Sequence, residues 1–388
     1  MNNGLKLFSG FAAMTPRNPD DAHRAATPLE LLFDLVSVIA IASAAVGLHH
    51  GLAEAHYAEG IIPYVAVFFP IWWAWMNYTW FASAYDNDDT LFRLLTMLIM
   101  AGALTMAAGV SYFFKSNELA LIVAGFVVMR IGMVALWLRA ASDDPERRTT
   151  CLTYAVGLIL AQAYWVGLLV FQPASSGAFF LLFGLGVAIE LTVPALAERQ
   201  GMTPWHRHHI IERYGLLNII VLGETLLAGS MALAQIGEGQ FRAAHVHIAL
   251  STIVILFAMW WTYFAKEEHL QHKTLFSAFS WGYGHFFIYL AGAATGAGFA
   301  CLVDIVSGHA EAPLLVGDYA VAVPVAIYFL GIWFVRDRVA LSAPAVWVLP
   351  AFAGLILVVP LLFGLEGIAA VAALTVYVRG KFACGDDW

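Results

Sequence analysis

The sequence predicts an all-α, polytopic helical membrane protein of about twelve transmembrane helices, arranged as two parallel six-helix repeats. Three observations predict it. Long apolar runs recur along the chain, Lys and Arg collect on alternate connecting segments, and similar motifs return at an offset of about 190 residues. A helix needs about 20 apolar residues to cross a bilayer. Runs that meet or approach this length are 28–48, 61–84, 91–114, 118–140, 150–171 and 175–196, then 210–236, 246–265, 278–305, 314–335, 343–363 and 365–379, the last being the shortest. Backbone groups inside a bilayer need internal partners, so helices are expected. No run has the two-residue alternation of a membrane β-barrel.

Composition agrees. The chain is 61% hydrophobic and 12% charged, about half the charged share of soluble domains. The net charge of −8 comes without any basic block, so no nucleic-acid partner is expected. Cys151, Cys301 and Cys384 lie far apart without CxxC spacing, which indicates neither a zinc site nor a disulfide framework, and Cys384 reads as a free thiol. No cofactor motif is visible: there is no phosphate loop, nucleotide fingerprint or Ser–His–Asp arrangement. Residues 1–27 are polar and do not form a signal peptide, so the run at 28–48 is expected to stay as a helix.

Orientation follows from the positive charges. With twelve spans and the N-terminus inside, sixteen Lys and Arg fall on cytoplasmic segments and two, Lys115 and Arg242, on outer ones; Arg130 alone lies within a span. This places the 1–27 tail, the 197–209 linker and the 380–388 tail in the cytoplasm, between and around repeats at 28–196 and 210–379. The repeats share a Trp pair ("FFPIWWAWMNYTWF" at 68–81, "LFAMWWTYF" at 256–264), a small-residue run ("AGALTMAAG" at 101–109, "AGAATGAGF" at 291–299) and a looser pair ("ALWLRA" at 135–140, "GIWFVR" at 331–336). Six helices per half make the repeats parallel, a plan used by transporters with a site at the repeat interface. The Gly and Ala runs read as helix-packing faces, with a pore lining as the sharper alternative. The Trp clusters end spans on the cytoplasmic side, where Trp favours the interface. The charges of "SDDPERRTT" read as solvated.

Ionisable groups inside spans are costly and mark candidate sites. The first span opens "TPLELLFDLV": Thr27 suits an N-cap, Pro28 the first helical position, and Glu30 the first turn. Asp34 shares the Glu30 face by the i, i+4 rule, and Arg93 is placed to neutralise either acid. The seventh span carries Glu212, Arg213, Asn218 and Glu224. Glu224 lies twelve residues past Glu212, roughly 18 Å along the helix. Arg130, mid-span in the fourth run, needs an anion, and Glu224, Asp34 and Glu190 are the candidates; His285 lies in the ninth span. Each pairing reads either as an ion pair that fixes helix register or as a polar cavity.

The segments "TPLELLFDLVSVIAIA" at 27–42 and "ERYGLLNIIVLGET" at 212–225 resemble the signature segments of the bacterial low-temperature-requirement A family. The resemblance runs from residue 27 essentially to the end, with Ser37 and Asn218 as departures from the usual pattern. It implies a multi-pass inner-membrane protein connected with growth in the cold, and it carries over Glu30, Asp34, Glu212, Arg213, Gly223 and Glu224. Arg130, Glu190 and His285 rest on membrane physics alone.

Three functions compete. The first is a transporter or channel for a proton, a monovalent cation or a small solute, bound by Asp34 and Glu224 with Arg130 neutralising them. The second is a membrane enzyme acting on lipid or envelope precursors. "HRHH" and "HLQH" look like His boxes, but His23, His206, His208, His209, His269 and His272 fall on one side and His49, His50, His56, His245, His247 and His309 on the other. That leaves too few for a di-metal site, so an enzyme is not favoured. The third is a sensor or assembly factor, which would have to work through helices or short loops. Membrane lipid is a partner in every case.

Overall fold

The computed structural model describes residues 12–19, 21, 24–116, 118–171, 173, 175–237, 243–265 and 274–383. Expectations that fall on Lys6, His23, Arg242, Lys266, His269, His272, Lys273 and Cys384 lie outside the described residues. Among the described residues the chain forms twelve main helices: α1 Pro28–Ala53, α2 Tyr57–Tyr85, α3 Thr90–Ser116, α4 Ala120–Asp143, α5 Arg148–Phe171, α6 Ser176–Glu198, α7 Arg207–Gly237, α8 Ala243–Phe264, α9 Leu275–Ser307, α10 Leu314–Ile332, α11 Val348–Val358 and α12 Pro360–Ala383. Among the described residues there is no strand, and ten helices are long and apolar enough to cross a membrane. Of the other two, α7 is 31 residues long and carries Glu212, Arg213 and Glu224, and α11 spans only 11 residues after a 3-10 turn at Ala345–Trp347.

The expected order of the last two spans is reversed. The short helix is α11, and α12 is the longer one, starting at Pro360, whose fixed φ suits the first helical turn. Near its start, Gly364 breaks the helical path at φ 55° and ψ −145°, a conformation open essentially to glycine alone.

The helices group into two compact units. The first holds residues up to Ala40 and Phe69–Arg213: the first half of α1, the second half of α2, α3 to α6, and the first turns of α7. Here α3 and α4 meet through glycine. A Cβ on Gly102 would stand 2.6 Å from the Gly125 carbonyl oxygen, so the backbones approach as small residues permit. Trp137 of α4 stacks on Tyr154 of α5 at 4.1 Å and 5°. The linker before α3 is fastened by Arg139, whose guanidinium pairs with Asp89. Asp144 was expected to be solvated but is buried, because Tyr85 donates to it at 3.0 Å and Arg147 reaches it at 3.3 Å.

The second unit holds Ile41–Phe68 and the chain from Tyr214 onward. A side chain on Gly298 of α9 would run into the Ala320 carbonyl of α10. Tyr64 donates 2.6 Å to the Leu290 carbonyl. Past Ile332, α10 continues as a π-turn over Trp333–Asp337. It presents Arg336 to the Tyr263 and Thr262 carbonyls at 2.6 and 2.8 Å, while Arg379 grips Asp337 at 2.8 and 2.9 Å. These guanidiniums therefore satisfy the open carbonyl end of α8.

Polarity is inverted relative to a water-soluble bundle. Glu30, Asp34, Arg130, Glu190 and Arg213 are buried, while Leu31, Leu35, Leu94, Leu181 and Leu362 face outward. In water that surface would aggregate; in hydrocarbon it is the favourable arrangement. The protein is a multi-pass membrane protein.

Candidate functional site: two buried charge centres and a carboxylate-lined cavity

The first centre is built where α1 starts. Thr27 and Glu30 form a reciprocal capping box: the Thr27 amide donates 2.8 Å to Glu30 Oε2, and the Glu30 amide donates 3.3 Å to Thr27 Oγ1. Glu30 also stands 3.0 Å from Arg213 Nη1 and 3.1 Å from His209 Nε2. One turn on, Asp34 accepts from Arg213 Nη2 at 2.5 Å and from Trp75 Nε1 at 2.7 Å. The i, i+4 pairing thus turns both acids toward one guanidinium, and all three side chains are fully buried. Arg93, expected here, instead pairs with Asp88 at 2.6 Å on the surface. Asp88 is only five residues away in the chain, so the local pairing wins.

Beside this centre, just past the end of α2, burial pushes the Asp86 carboxyl up to about 6, and the Glu30 charge adds to the shift against Arg24 and Arg17. Asp89 moves the other way: burial opposes its charge, but Arg139 and the Phe92 and Ala12 amides outweigh it.

The second centre lies in the same unit. Arg130 pairs with Glu190 at 2.7 Å. Of the three anions open to Arg130, Glu190 is the partner. Glu190 also accepts from Trp73 Nε1 at 2.8 Å and Trp165 Nε1 at 3.0 Å. The Phe126 ring covers the guanidinium at 4.4 Å. Trp73 and Trp75 are therefore not interfacial anchors. They are buried donors to carboxylates, whereas Trp260 and Trp261 of the matching segment face outward.

Two histidines of "HRHH" are buried. His206 is buried against the Asp21 carbonyl at 2.8 Å, and His209 against Glu30. Among the described residues no group of three or more His, Cys, Asp or Glu is arranged to hold a metal ion.

In the second unit, Asn218 and Tyr328 are hydrogen-bonded at 2.9 Å. His285 is fully buried, 2.8 Å from the Trp281 carbonyl and 3.1 Å from the Tyr263 hydroxyl. A carbonyl only accepts, so Nδ1 carries the proton and Nε2 accepts from tyrosine. Both groups are locked in place. Glu224 is different. It is half-buried, has no hydrogen-bond or ion-pair partner among the described residues, and lines a half-open cavity of about 320 Å³. Around it stand Thr225, His49, His50 and small or apolar side chains of α1, α7 and α9. At the rim His49 Nε2 pairs with Asp304 at 2.8 Å, and the His50 ring stacks on His49 at 5.1 Å. The first apolar run was expected to end at Leu48, but α1 carries His49 and His50 on to Ala53. The absence of any proline in "AAVGLHHGLA" was the available signal. Glu212, in the first unit, is half-buried, without such a partner among the described residues.

A match to the family described as Bacterial low temperature requirement A protein (LtrA) runs over residues 25–380. The chain belongs to that family. Both charge pairs, Arg213 with Glu30 and Asp34 and Arg130 with Glu190, and the whole Glu224 cavity lining lie inside the LtrA match. The chain is also 25% identical over 286 residues to the uncharacterized protein RA0937 of Rhizobium meliloti (strain 1021). That alignment covers 68% of this chain and 66% of the relative, just under two thirds of the relative's length. No solved structure matches this LtrA protein.

Proposed function

We propose that this LtrA protein is a transporter or ion-conducting protein of the bacterial cytoplasmic membrane, with both termini in the cytoplasm and Glu224 as the carboxylate that meets the passing proton, cation or small solute. A role in growth at low temperature would follow from that transport. One observation carries the reading: Glu224 lines a cavity and has no partner among the described residues. The other deep charges are committed to one another, Arg130 to Glu190 and Arg213 to Glu30 and Asp34. They serve as the frame that holds helices in register. Asn218 and His285 belong to the same frame through Tyr328 and Tyr263. A carboxylate in a low-dielectric wall without a counter-charge attracts a cation or a proton. The test is flux of protons and monovalent cations in proteoliposomes. Flux that Glu224→Gln removes from well-folded protein supports the reading, and no flux for any species opposes it.

A further inference from the structure

The chemistry of the cavity wall separates the candidate occupants. A dehydrated alkali ion needs a ring of oxygens in place of its hydration shell. The described lining offers the Glu224 carboxylate and the Thr225 hydroxyl, and that hydroxyl is already held by the Val221 and Gly292 carbonyls at 3.3 and 3.1 Å. His49 is committed to Asp304. A bare proton needs no chamber, yet the cavity holds about 320 Å³, at the lower end of the roughly 300–1,000 Å³ of small-molecule sites. The His50 ring is stacked on His49, and the rest of the wall is Ala42, Ala45, Val46, Leu227, Ala297 and similar groups. One carboxylate in a mostly apolar wall matches a molecule with one positive end and a short hydrocarbon body.

We propose that the cavity lined by Glu224 binds a small monovalent organic cation, an alkylammonium whose charged nitrogen meets the Glu224 carboxylate and whose apolar part lies on the alanine-rich wall. This rests on the reading that Glu224 receives the transported species, and it narrows that species to one class. The small side chains make the room: Ala45 and Ala300 are half-buried at the cavity wall. A larger residue at Ala45 shortens the chamber and leaves the carboxylate in place.

The experiment is isothermal titration of the full chain in lipid nanodiscs with n-alkylammonium chlorides from ethyl to hexyl. Matched 1-alkanols and potassium chloride are the comparisons, protein-free nanodiscs of the same lipid give the lipid background, and nanodiscs carrying Glu224→Gln are the variant. Affinity should rise by about fourfold per methylene until the chamber is full. It should exceed that of the matched alkanol by about tenfold or more, as one added charge contact provides, and that of potassium, which has no hydrocarbon to bury on the wall. Glu224→Gln should abolish the difference from the alkanol, and Ala45→Leu should weaken hexylammonium more than ethylammonium. Equal binding by wild type and Glu224→Gln, equal affinity for alkanols, or potassium competing as well as the amines would each overturn the proposal. The two readings fail separately. Glu224-dependent proton or potassium flux without alkylammonium binding removes only this inference. Alkylammonium binding without any flux removes only the transport reading.

Discussion

Arg130 Nη2 and Glu190 Oε2 stand 2.7 Å apart between α4 and α6, both buried, and neither is among the residues that line the Glu224 cavity. The indole nitrogens of Trp73 and Trp165 complete the carboxylate's hydrogen bonds. A pair so fully satisfied is part of the frame. Removing one member leaves the other as an unpaired buried charge, a loss of about 3–5 kcal/mol. Arg130→Met should therefore sharply lower the unfolding temperature in detergent, and Arg130→Met with Glu190→Gln should recover most of it.

Arg213 serves two acids at once, Glu30 at 3.0 Å and Asp34 at 2.5 Å. That geometry needs the guanidinium fork, because a lysine ammonium is a point charge. Arg213→Lys keeps the charge, yet it should cost about 1–3 kcal/mol by leaving one carboxylate poorly paired. Thermal unfolding of the purified variant checks this. Stability equal to wild type would mean that charge alone suffices.

Asp86 gives a pH dependence with a definite sign. Its folded carboxyl sits at about 6, above the ordinary 3.8. The folded state therefore holds the proton more tightly than the unfolded chain. The resulting stabilisation is complete below about 3.8 and is lost as pH rises through about 6. Asp86→Asn cannot ionise. Its unfolding temperature relative to wild type should climb between pH 4 and 7, and a flat difference across that range would contradict the assignment.

Gly102 and Gly298 of the small-residue runs face neighbouring backbones, while Gly296 of the second run lines the Glu224 cavity. A Cβ on Gly102 would crowd the Gly125 carbonyl, and one on Gly298 the Ala320 carbonyl. Gly102→Ala and Gly298→Ala should each lower stability by about 1–3 kcal/mol. Flux per folded molecule should stay unchanged. Unchanged stability with altered ion selectivity would instead mark a pore lining.

Much of this fold is legible in the sequence, because a bilayer asks for long apolar runs and charges that hide together. The capping box at Thr27 and Glu30, the shared face of Glu30 and Asp34, and the need of Arg130 for an anion can all be read from local spacing. Which anion Arg130 takes cannot, because Glu190, Asp34 and Glu224 differ only in where tertiary packing carries them. The roles of Trp73 and Trp75 were hidden for a related reason. A tryptophan near a span end looks the same whether it anchors at an interface or donates to a buried acid. His49 and His50 were missed because the apolar run ends at Leu48, although the helix simply continues to Ala53. The π-turn at Trp333–Asp337 and the break at Gly364 leave little local signal. Each is sustained by packing around it.

The central claim is that Glu224, and not the Arg130–Glu190 pair, lies on the transport path. The most direct measurement is cation and proton flux in proteoliposomes with three proteins at matched folded amounts: wild type, Glu224→Gln, and Arg130→Met with Glu190→Gln. The account predicts flux in wild type, flux within about twofold of it per folded molecule in the double variant, where the buried charges are neutralised together, and none in Glu224→Gln. Flux that survives Glu224→Gln and vanishes in the folded double variant would contradict it.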